Sequence, residues 1–373
     1  MVRLLNKDKI LLLMSGGVDS SVAAYLLKEE GYDVVGLHFK TVPDDFFEAT
    51  PEKNKICCSP SDTYDAQNVA KQLNLSDFFI VEVHEDFRKK VIDYFLNSYK
   101  IGITPNPCVV CNRYFKFGKA VEIAKEIGAK YVSSGHYVIN EYSEHYNAFL
   151  LRHGVDSYKD QSYFLSQIHK EYLNFLYFPL GKLFKSQIRE IAASLNLTVA
   201  NKPDSQEICF IPDENSYRFL RENSVDPGEG KILDLNGKVI GKHKGYTFYT
   251  IGQRNGLLFD KAINQRLHVY SIDPINNTLV VAPTEKLYFS SLIANNLNFF
   301  TEKNSIKNIV CRIRKKSEEK KASIFFRNDD TAEVVFEEPI FAITPGQFAV
   351  FYDYDGFLLG SGEIIKYGEV KNE

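Results

Sequence analysis

No run in the 373-residue chain is both long and apolar enough to cross a bilayer. The segment nearest to a leader's core, Ile10–Met14, is short and flows straight into a glycine loop. It reads as a buried strand rather than a signal peptide, and the expectation is a cytoplasmic protein with no membrane association. There is no internal repeat and no low-complexity segment, which argues against a repeat array and against long disordered tails. Strong charge of one sign is also missing. The net charge is −3, so the molecule as a whole is no general polyanion binder, although a local basic patch can still hold nucleic acid. Cysteine is scarce, with six residues at 57, 58, 108, 111, 209 and 311. In a reducing compartment these are not structural disulfides, which leaves reactive thiols and metal ligands as the readings for some of them.

The 44% hydrophobic content is ample for packed cores, and the length calls for about two or three domains. In the first third, strand-like and helix-like segments alternate. Ile10–Met14, Val34–Phe39, Phe78–Val83 and Tyr131–Ser134 read as strands. Ser20–Glu30, Asp62–Leu73, Asp86–Tyr99 and Phe115–Ile127 read as helices, with Lys185–Leu195 following later. Such alternation implies an α/β domain, a parallel sheet covered on both faces. Beyond about residue 205 the runs become short and β-rich, with hairpin signals at Asn236-Gly237, Asn276-Asn277 and Asp355-Gly356. The expected organisation is a catalytic domain over 1–203, a small central β-rich domain over 204–280 and a C-terminal β-barrel over 281–373.

Ser15-Gly16-Gly17-Val18-Asp19-Ser20 leaves the first strand and opens the first helix. Glycines let backbone approach a phosphate closely, and a helix N-terminus offers N–H donors with a favourable dipole. The loop has no lysine of the G-x-x-x-x-G-K-[ST] kind. It suits a site that holds pyrophosphate as a leaving group while the α phosphorus is attacked. Asp19 is positioned to help hold Mg²⁺. At this motif the sequence resembles the PP-loop ATP pyrophosphatases, whose adenylation chemistry the SGGxDS pattern marks. That superfamily includes small-molecule synthetases, so the loop alone does not name the substrate.

Two further stretches narrow it. Thr104 to Phe117 reads TPNPCVVCNRYFKF on a proline-stiffened loop between helices, and Asp204 to Pro212 reads DSQEICFIP. With Ser134-Gly135-His136-Tyr137 and Lys159-Asp160-Gln161-Ser162-Tyr163, these are similar to the tRNA-specific 2-thiouridylases. The resemblance runs the length of the chain and is densest up to about residue 260. It implies ATP-dependent replacement of the C2 oxygen of a tRNA wobble uridine by sulfur, with AMP and pyrophosphate released. Adenylation makes a poor leaving group a good one, and the incoming sulfur must be a thiolate or persulfide. By the same resemblance Cys111 is the nucleophile and Cys209 carries the persulfide, and the two form a transient disulfide as sulfur leaves.

One position departs from the pattern. The family's Asp, proposed there as a general base, is replaced by Cys108, so that assignment fails. Cys108, Cys111 and Cys209 together resemble the three-cysteine set of iron–sulfur-dependent tRNA thiolases, in which one iron stays open for sulfide. Persulfide relay and cluster chemistry both remain open at the level of sequence. Cys57, Cys58 and Cys311 have no such context and are expected to be structural or incidental.

For the nucleotide, the resemblance implies Leu13, Met14, Ser15, Gly16, Gly17, Val18, Asp19, Ser20, Phe39 and Gly135. For tRNA it implies Asn106, Pro107, Cys108, Lys159, Asp160 and Gln161, and the basic run Arg312, Arg314, Lys315 and Lys316, alternating with apolar residues as on a barrel strand edge, adds Arg314 and Lys315 as candidates. His136 is left off the catalytic set as a lone strand-end histidine. Lys242-His243-Lys244 with Tyr246 and Tyr249 mixes charge with stacking surface, as an RNA contact requires. The expected partners are the anticodon stem-loop and a cysteine desulfurase or sulfur-carrier protein. Two rivals stand beside this reading: a PP-loop synthetase for a small molecule, which has no use for Cys209, and a non-catalytic tRNA binder with a relic loop.

Overall fold

The computed structural model describes residues 8–43, 60–204, 208–211, 216–303 and 306–368. Cys57 and Cys58 lie outside the described residues, as do Ser205, Gln206, Glu207 and Pro212. The chain forms two compact units that do not follow it linearly. The first comprises Met1–Ile92, Cys108–Glu214 and Asp355–Leu358, and the second Asp93–Pro107, Asn215–Tyr354 and Leu359–Glu373.

The first unit holds strands β1 (Lys9–Leu13), β2 (Asp33–Lys40), β3 (Asp77–Glu82) and β4 (Tyr131–Ser134). A hairpin, β5 (Val138–Ser143) and β6 (Ala148–His153), stands apart, and β7 (Leu176–Tyr177) completes the main sheet. The sheet order is β3-β2-β1-β4-β7, parallel throughout. As the central strand, β1 is covered on both faces, which is why it reads as the continuous apolar run Ile10–Leu13 rather than an alternation. The helices here are α1 (Val18–Glu29), α2 (Pro60–Gln72), α3 (His84–Phe87), α5 (Pro107–Cys111), α6 (Ala120–Glu126) and α7 (Lys185–Ser194), while α4 (Asp93–Lys100) and α8 (Ser216–Glu222) belong to the second unit. Val22, Ala23 and Leu27 of α1 pack with Ile10, Leu12 and Met14 of the sheet and with Ile188 of α7. Gly31, at φ +92°, lies two residues beyond α1, where left-handed backbone carries the chain out of the helix.

The cysteine segment corrects the sequence expectation. Cys108 and Cys111 are not on a loop, because a helix begins at Pro107 and runs through α5, a π-helical stretch Asn112–Lys119 and α6. Proline suits a first helical position, where its missing N–H costs nothing and its φ is preset. The helix expected over Asp86–Tyr99 is likewise α3, a π turn Arg88–Ile92 and α4 in succession.

The second unit carries a five-stranded sheet of β8 (Gly230–Leu233), β9 (Val239–His243), β10 (Leu258–Phe259), β11 (Leu267–Asp273) and β12 (Thr278–Pro283), in the order β10-β9-β8-β12-β11. It also carries a closed barrel of β13 (Tyr288–Phe299), β14 (Asn308–Arg312), β15 (Lys320–Phe326), β16 (Ala332–Phe341), β17 (Phe348–Tyr352) and β18 (Leu358–Gly368). Closure leaves no unpaired edge. All three hairpin signals fall at turns, with Gly237, Asn277 and Gly356 in left-handed backbone at φ +80°, +48° and +83°. Among the described residues no helix is long and apolar enough to cross a membrane.

Candidate nucleotide and thiol sites

Gly16 joins β1 to α1 at φ +73°, and a Cβ there would stand 2.2 Å from the Asp62 carbonyl oxygen, so glycine is required on both counts. Gly17 is the N-cap of α1 and has no side chain to occupy the first-turn N–H groups, which leaves them aimed at an anion. Ser20 Oγ accepts the Ser15 N–H (3.2 Å) and donates to the Gly17 carbonyl (3.1 Å), drawing the loop into a ring. Leu13, Met14 and Val18 are buried, the last two within the sheet–helix core, so the backbone is what they offer a nucleotide. Phe39 is buried at the end of β2. At Gly135 a Cβ would meet Ser20 N at 2.7 Å, so this glycine lets the exit of β4 pack directly on the first turn of α1.

Around the loop lies an ionic frame that sequence reasoning missed. Asp19 Oδ1 accepts the Tyr137 hydroxyl (2.6 Å) and Lys185 Nζ (2.7 Å). Lys185 Nζ also reaches Asp204 Oδ1 (2.7 Å), which Arg189 shares, while Lys159 Nζ takes Asp204 Oδ2 (2.7 Å). Partial burial works to raise the Asp204 pKa, but the hydrogen bonds from Lys159 and Lys185 prevail and hold it at about 2. Behind the loop, Lys202 Nζ donates to Asp62 Oδ1 (2.6 Å), Asp65 Oδ2 (2.6 Å) and the Gly16 carbonyl (3.0 Å). Burial opposes the Lys202 charge, and its two carboxylate partners outweigh that, raising its pKa. His38 Nδ1 donates to the Met14 carbonyl (2.8 Å) and Nε2 accepts from Thr63 (3.0 Å), a neutral tautomer that agrees with burial lowering its pKa. The one available signal was Asp62 and Asp65 at helical spacing, with Lys202 and Asp204 flanking Pro203.

Asp19 was expected to help hold Mg²⁺. Its Oδ1 is engaged by both Tyr137 and Lys185, so a cation on that oxygen would compete with Lys185. His136 is buried, 2.7 Å from Ser134 Oγ, and burial followed by the nearby Lys116 charge pushes its pKa well down, which fits a structural residue.

Cys108 and Cys111 sit three residues apart in α5, on one face of the helix. Asn112 Nδ2 donates to the Phe164 carbonyl (3.1 Å) and Arg113 to Gln167 Oε1 (2.7 Å), fixing this turn. Cys111 is buried, and Cys108 and Cys209 are half-buried. An aromatic chain joins their segments: Phe115 packs on Phe87 with centroids 5.5 Å apart, and Phe87 on Phe210, beside Cys209, at 6.0 Å. Among the described residues no three His, Cys, Asp or Glu side chains gather closely enough to hold a single metal ion. Cys311 lies at zero exposure in the barrel strand β14, where burial and Glu319 push its thiol far up, consistent with the structural role expected.

The side chains expected to touch RNA lie in several environments. Asp160 is buried, its carboxylate accepting the Gly154 N–H (3.1 Å) and the Ser162 hydroxyl (2.9 Å), and Gln161 Oε1 accepts the Tyr137 N–H (2.9 Å). These side chains satisfy buried amides and are committed to the fold. Lys159 is part-exposed but paired with Asp204. Arg314 donates to the Ile251 (2.9 Å) and Ala342 (2.6 Å) carbonyls and to Thr344, a clamp inside the second unit. Tyr246 and Tyr249 are buried, with hydroxyls on the Lys100 and Gly256 carbonyls, so they are core rather than stacking platforms. His243 is buried, and Lys242 and Lys244 on either side of it in sequence are exposed. Asn106 and Pro107 close a loop pinned by Gln347, whose amide donates to the Thr104 carbonyl (2.9 Å).

Comparison with known proteins gives three successive family matches along the chain. Residues 8–213 match the tRNA methyl transferase HUP domain, 218–283 the tRNA methyl transferase PRC-barrel domain and 289–364 the aminomethyltransferase beta-barrel domain. The tRNA-specific 2-thiouridylase MnmA of Petrotoga mobilis is 57% identical over 368 residues, covering 98% of this chain and 100% of that one. The protein of the same name from Thermotoga sp. strain RQ2 is 45% identical over 360 residues, covering 96% and 99%. A third, from Thermoanaerobacter sp. strain X514, is 43% identical and covers 96% and 98%. The chain belongs to the tRNA-specific 2-thiouridylase family.

Proposed function

We propose that this enzyme is an ATP-dependent tRNA-uridine sulfurtransferase that replaces the C2 oxygen of the wobble uridine by sulfur. The observation that carries the reading is the loop Ser15–Ser20, a ring of backbone donors at an uncapped helix start, in a chain of this family. Ser15, Gly16, Gly17, Asp19 and Ser20 hold the phosphates of ATP, and Phe39 and Gly135 border the nucleotide. The uridine oxygen attacks the α phosphorus, and pyrophosphate leaves with the P–O bond electrons. Mg²⁺ entering with the nucleotide would neutralise phosphate charge.

Sulfur then arrives from a persulfide on Cys209. The Cys111 thiolate attacks Cys209 Sγ, forming a Cys111–Cys209 disulfide and releasing hydrosulfide, which adds at C2 and expels AMP. A thiol reductant resets the pair. The aromatic contact between the two cysteine segments supports a relay. An iron–sulfur cluster held by Cys108, Cys111 and Cys209 would instead supply an open iron for sulfide. The substrate is the anticodon stem-loop, its uridine turned out of the stack, and the donor is a cysteine desulfurase or sulfur carrier. Such a thiol pair suits a reducing, cytoplasmic compartment.

The test is thiolation of an unmodified tRNA transcript with ATP, Mg²⁺, cysteine, a desulfurase and a thiol reductant, read by mass spectrometry of the digested nucleosides. 2-Thiouridine formed together with AMP is the expected result. ATP–pyrophosphate exchange that proceeds without RNA, with no thiouridine in its presence, would replace this reading by the small-molecule synthetase.

A further inference from the structure

The loop lacks the lysine that phosphate-binding loops of the other common type carry within their own sequence, yet a lysine stands at it. Among the described residues of the first unit two lysines reach the Ser15–Ser20 region, and they differ in kind. Lys202 is tied to two carboxylates and to the Gly16 carbonyl, three acceptors at 3.0 Å or less, and so serves as a brace under the loop. Lys185 touches no backbone of the loop. Its Nζ lies on the carboxylate of Asp19, in the first turn of α1, and on Asp204, with a side chain only 13% exposed. The root of that side chain is fixed, because Lys185 is the first residue of α7 and its N–H donates to Asp156 Oδ2 (3.0 Å). The aliphatic stem leaves Nζ 5.8 Å from the centre of the Tyr137 ring. A fixed root and an ammonium tip shared between two carboxylates beside a helix start describe a phosphate ligand held in reserve.

We infer that Lys185 is the phosphate-binding cation of this loop, held on Asp19 and Asp204 until a polyphosphate arrives. The inference rests on the reading of Ser15–Ser20 as the ATP site. On binding, a β- or γ-phosphate oxygen replaces a carboxylate as the acceptor of Lys185 Nζ, an exchange of one anion for another at a constant number of ion pairs. Asp19 is thereby released to face the cation that accompanies the nucleotide. The same contact holds pyrophosphate as it departs from the α phosphorus. Lys185 has no part in holding the α-phosphate or the nucleoside, which are left to the loop amides and the strand ends.

That division sets the experiment. Calorimetric titration of the full chain with MgATP, pyrophosphate and AMP is compared between wild type and Lys185→Ala, with Lys185→Met as a second variant that keeps the stem. The expected result is ATP and pyrophosphate binding weakened about 10- to 100-fold, as for a lost charge-assisted hydrogen bond, with AMP affinity within about twofold of wild type. Lys185→Arg restores part of the ATP affinity. Equal losses for ATP and AMP, or none for ATP, in the stem-retaining variant would overturn the inference and leave Lys185 a structural brace. Failure of the wild type to bind ATP at all would instead remove the reading of the loop.

Discussion

The nucleotide loop and the cysteine segments lie in the same compact unit and are held by different forces. The loop is fixed by directed polar contacts: the serine ring, the Lys202 brace at 3.0 Å from Gly16, and the Asp19–Lys185–Asp204 chain. The cysteine segments are joined to each other by apolar packing through Phe115, Phe87 and Phe210, with Asn112 and Arg113 anchoring the Cys108–Cys111 turn to Phe164 and Gln167. The difference matches two tasks. A leaving pyrophosphate needs donors preorganised to within a few tenths of an ångström, and hydrogen bonds impose that geometry. A sulfur relay needs two thiols held near each other without a competing charge, and aromatic packing supplies position while adding neither donor nor acceptor.

The sharpest way to break this comparison is to remove one thiol. Cys209→Ala is expected to lower thiolation below detection while AMP formation with tRNA continues, measured by nucleoside mass spectrometry and nucleotide chromatography. Parallel loss of both would mean that the two regions are not separable. Next in size is Phe87→Ala, which removes the ring between the two cysteine segments. It is expected to cost about 3–5 kcal/mol of stability by chemical denaturation. In the folded fraction, thiolation falls further than ATP affinity does. Equal falls would show that the packing serves the whole unit rather than the thiols.

Gly16→Ala strikes the polar side of the comparison. Left-handed backbone and a 2.2 Å approach to Asp62 predict a stability loss of about 1–3 kcal/mol and loss of measurable ATP binding. Retained nucleotide affinity would show that the loop needs no fixed backbone. The smallest effect concerns acid. Asp204 has a folded pKa of about 2, below its ordinary value of 3.8, so its ion pairs contribute fully above the ordinary value and are lost as pH falls toward 2. Asp204→Asn is therefore expected to flatten the acid limb of a denaturation-versus-pH profile in that window and to change little of the slope near neutrality. An unchanged acid limb would remove Asp204 as a paired anion.

Much of this was legible along the chain because it is local. Strand–helix alternation gave the parallel sheet, and Asn236-Gly237, Asn276-Asn277 and Asp355-Gly356 marked real turns because left-handed backbone selects those residues. The phosphate loop was readable for the same reason. What was not legible depends on distance in sequence. Lys185 meets Asp19 across 166 positions and Lys202 meets Gly16 across 186, and no periodicity encodes such a meeting. Pro107 was read as stiffening a loop when it opens a helix, since a proline before a helical run is compatible with either. Asp160, Gln161 and Arg314 look like surface polar residues in sequence, and only their buried backbone partners disclose that the fold has already claimed them.

The central claim is that the C2 oxygen of uridine is adenylated before sulfur enters. A tRNA carrying ¹⁸O at C2 of the wobble uridine tests it directly. After one round of thiolation with unlabelled ATP in unlabelled water, mass spectrometry of the AMP should find the label on its phosphate and none in the pyrophosphate. Label released to water, with AMP unlabelled, would contradict the account.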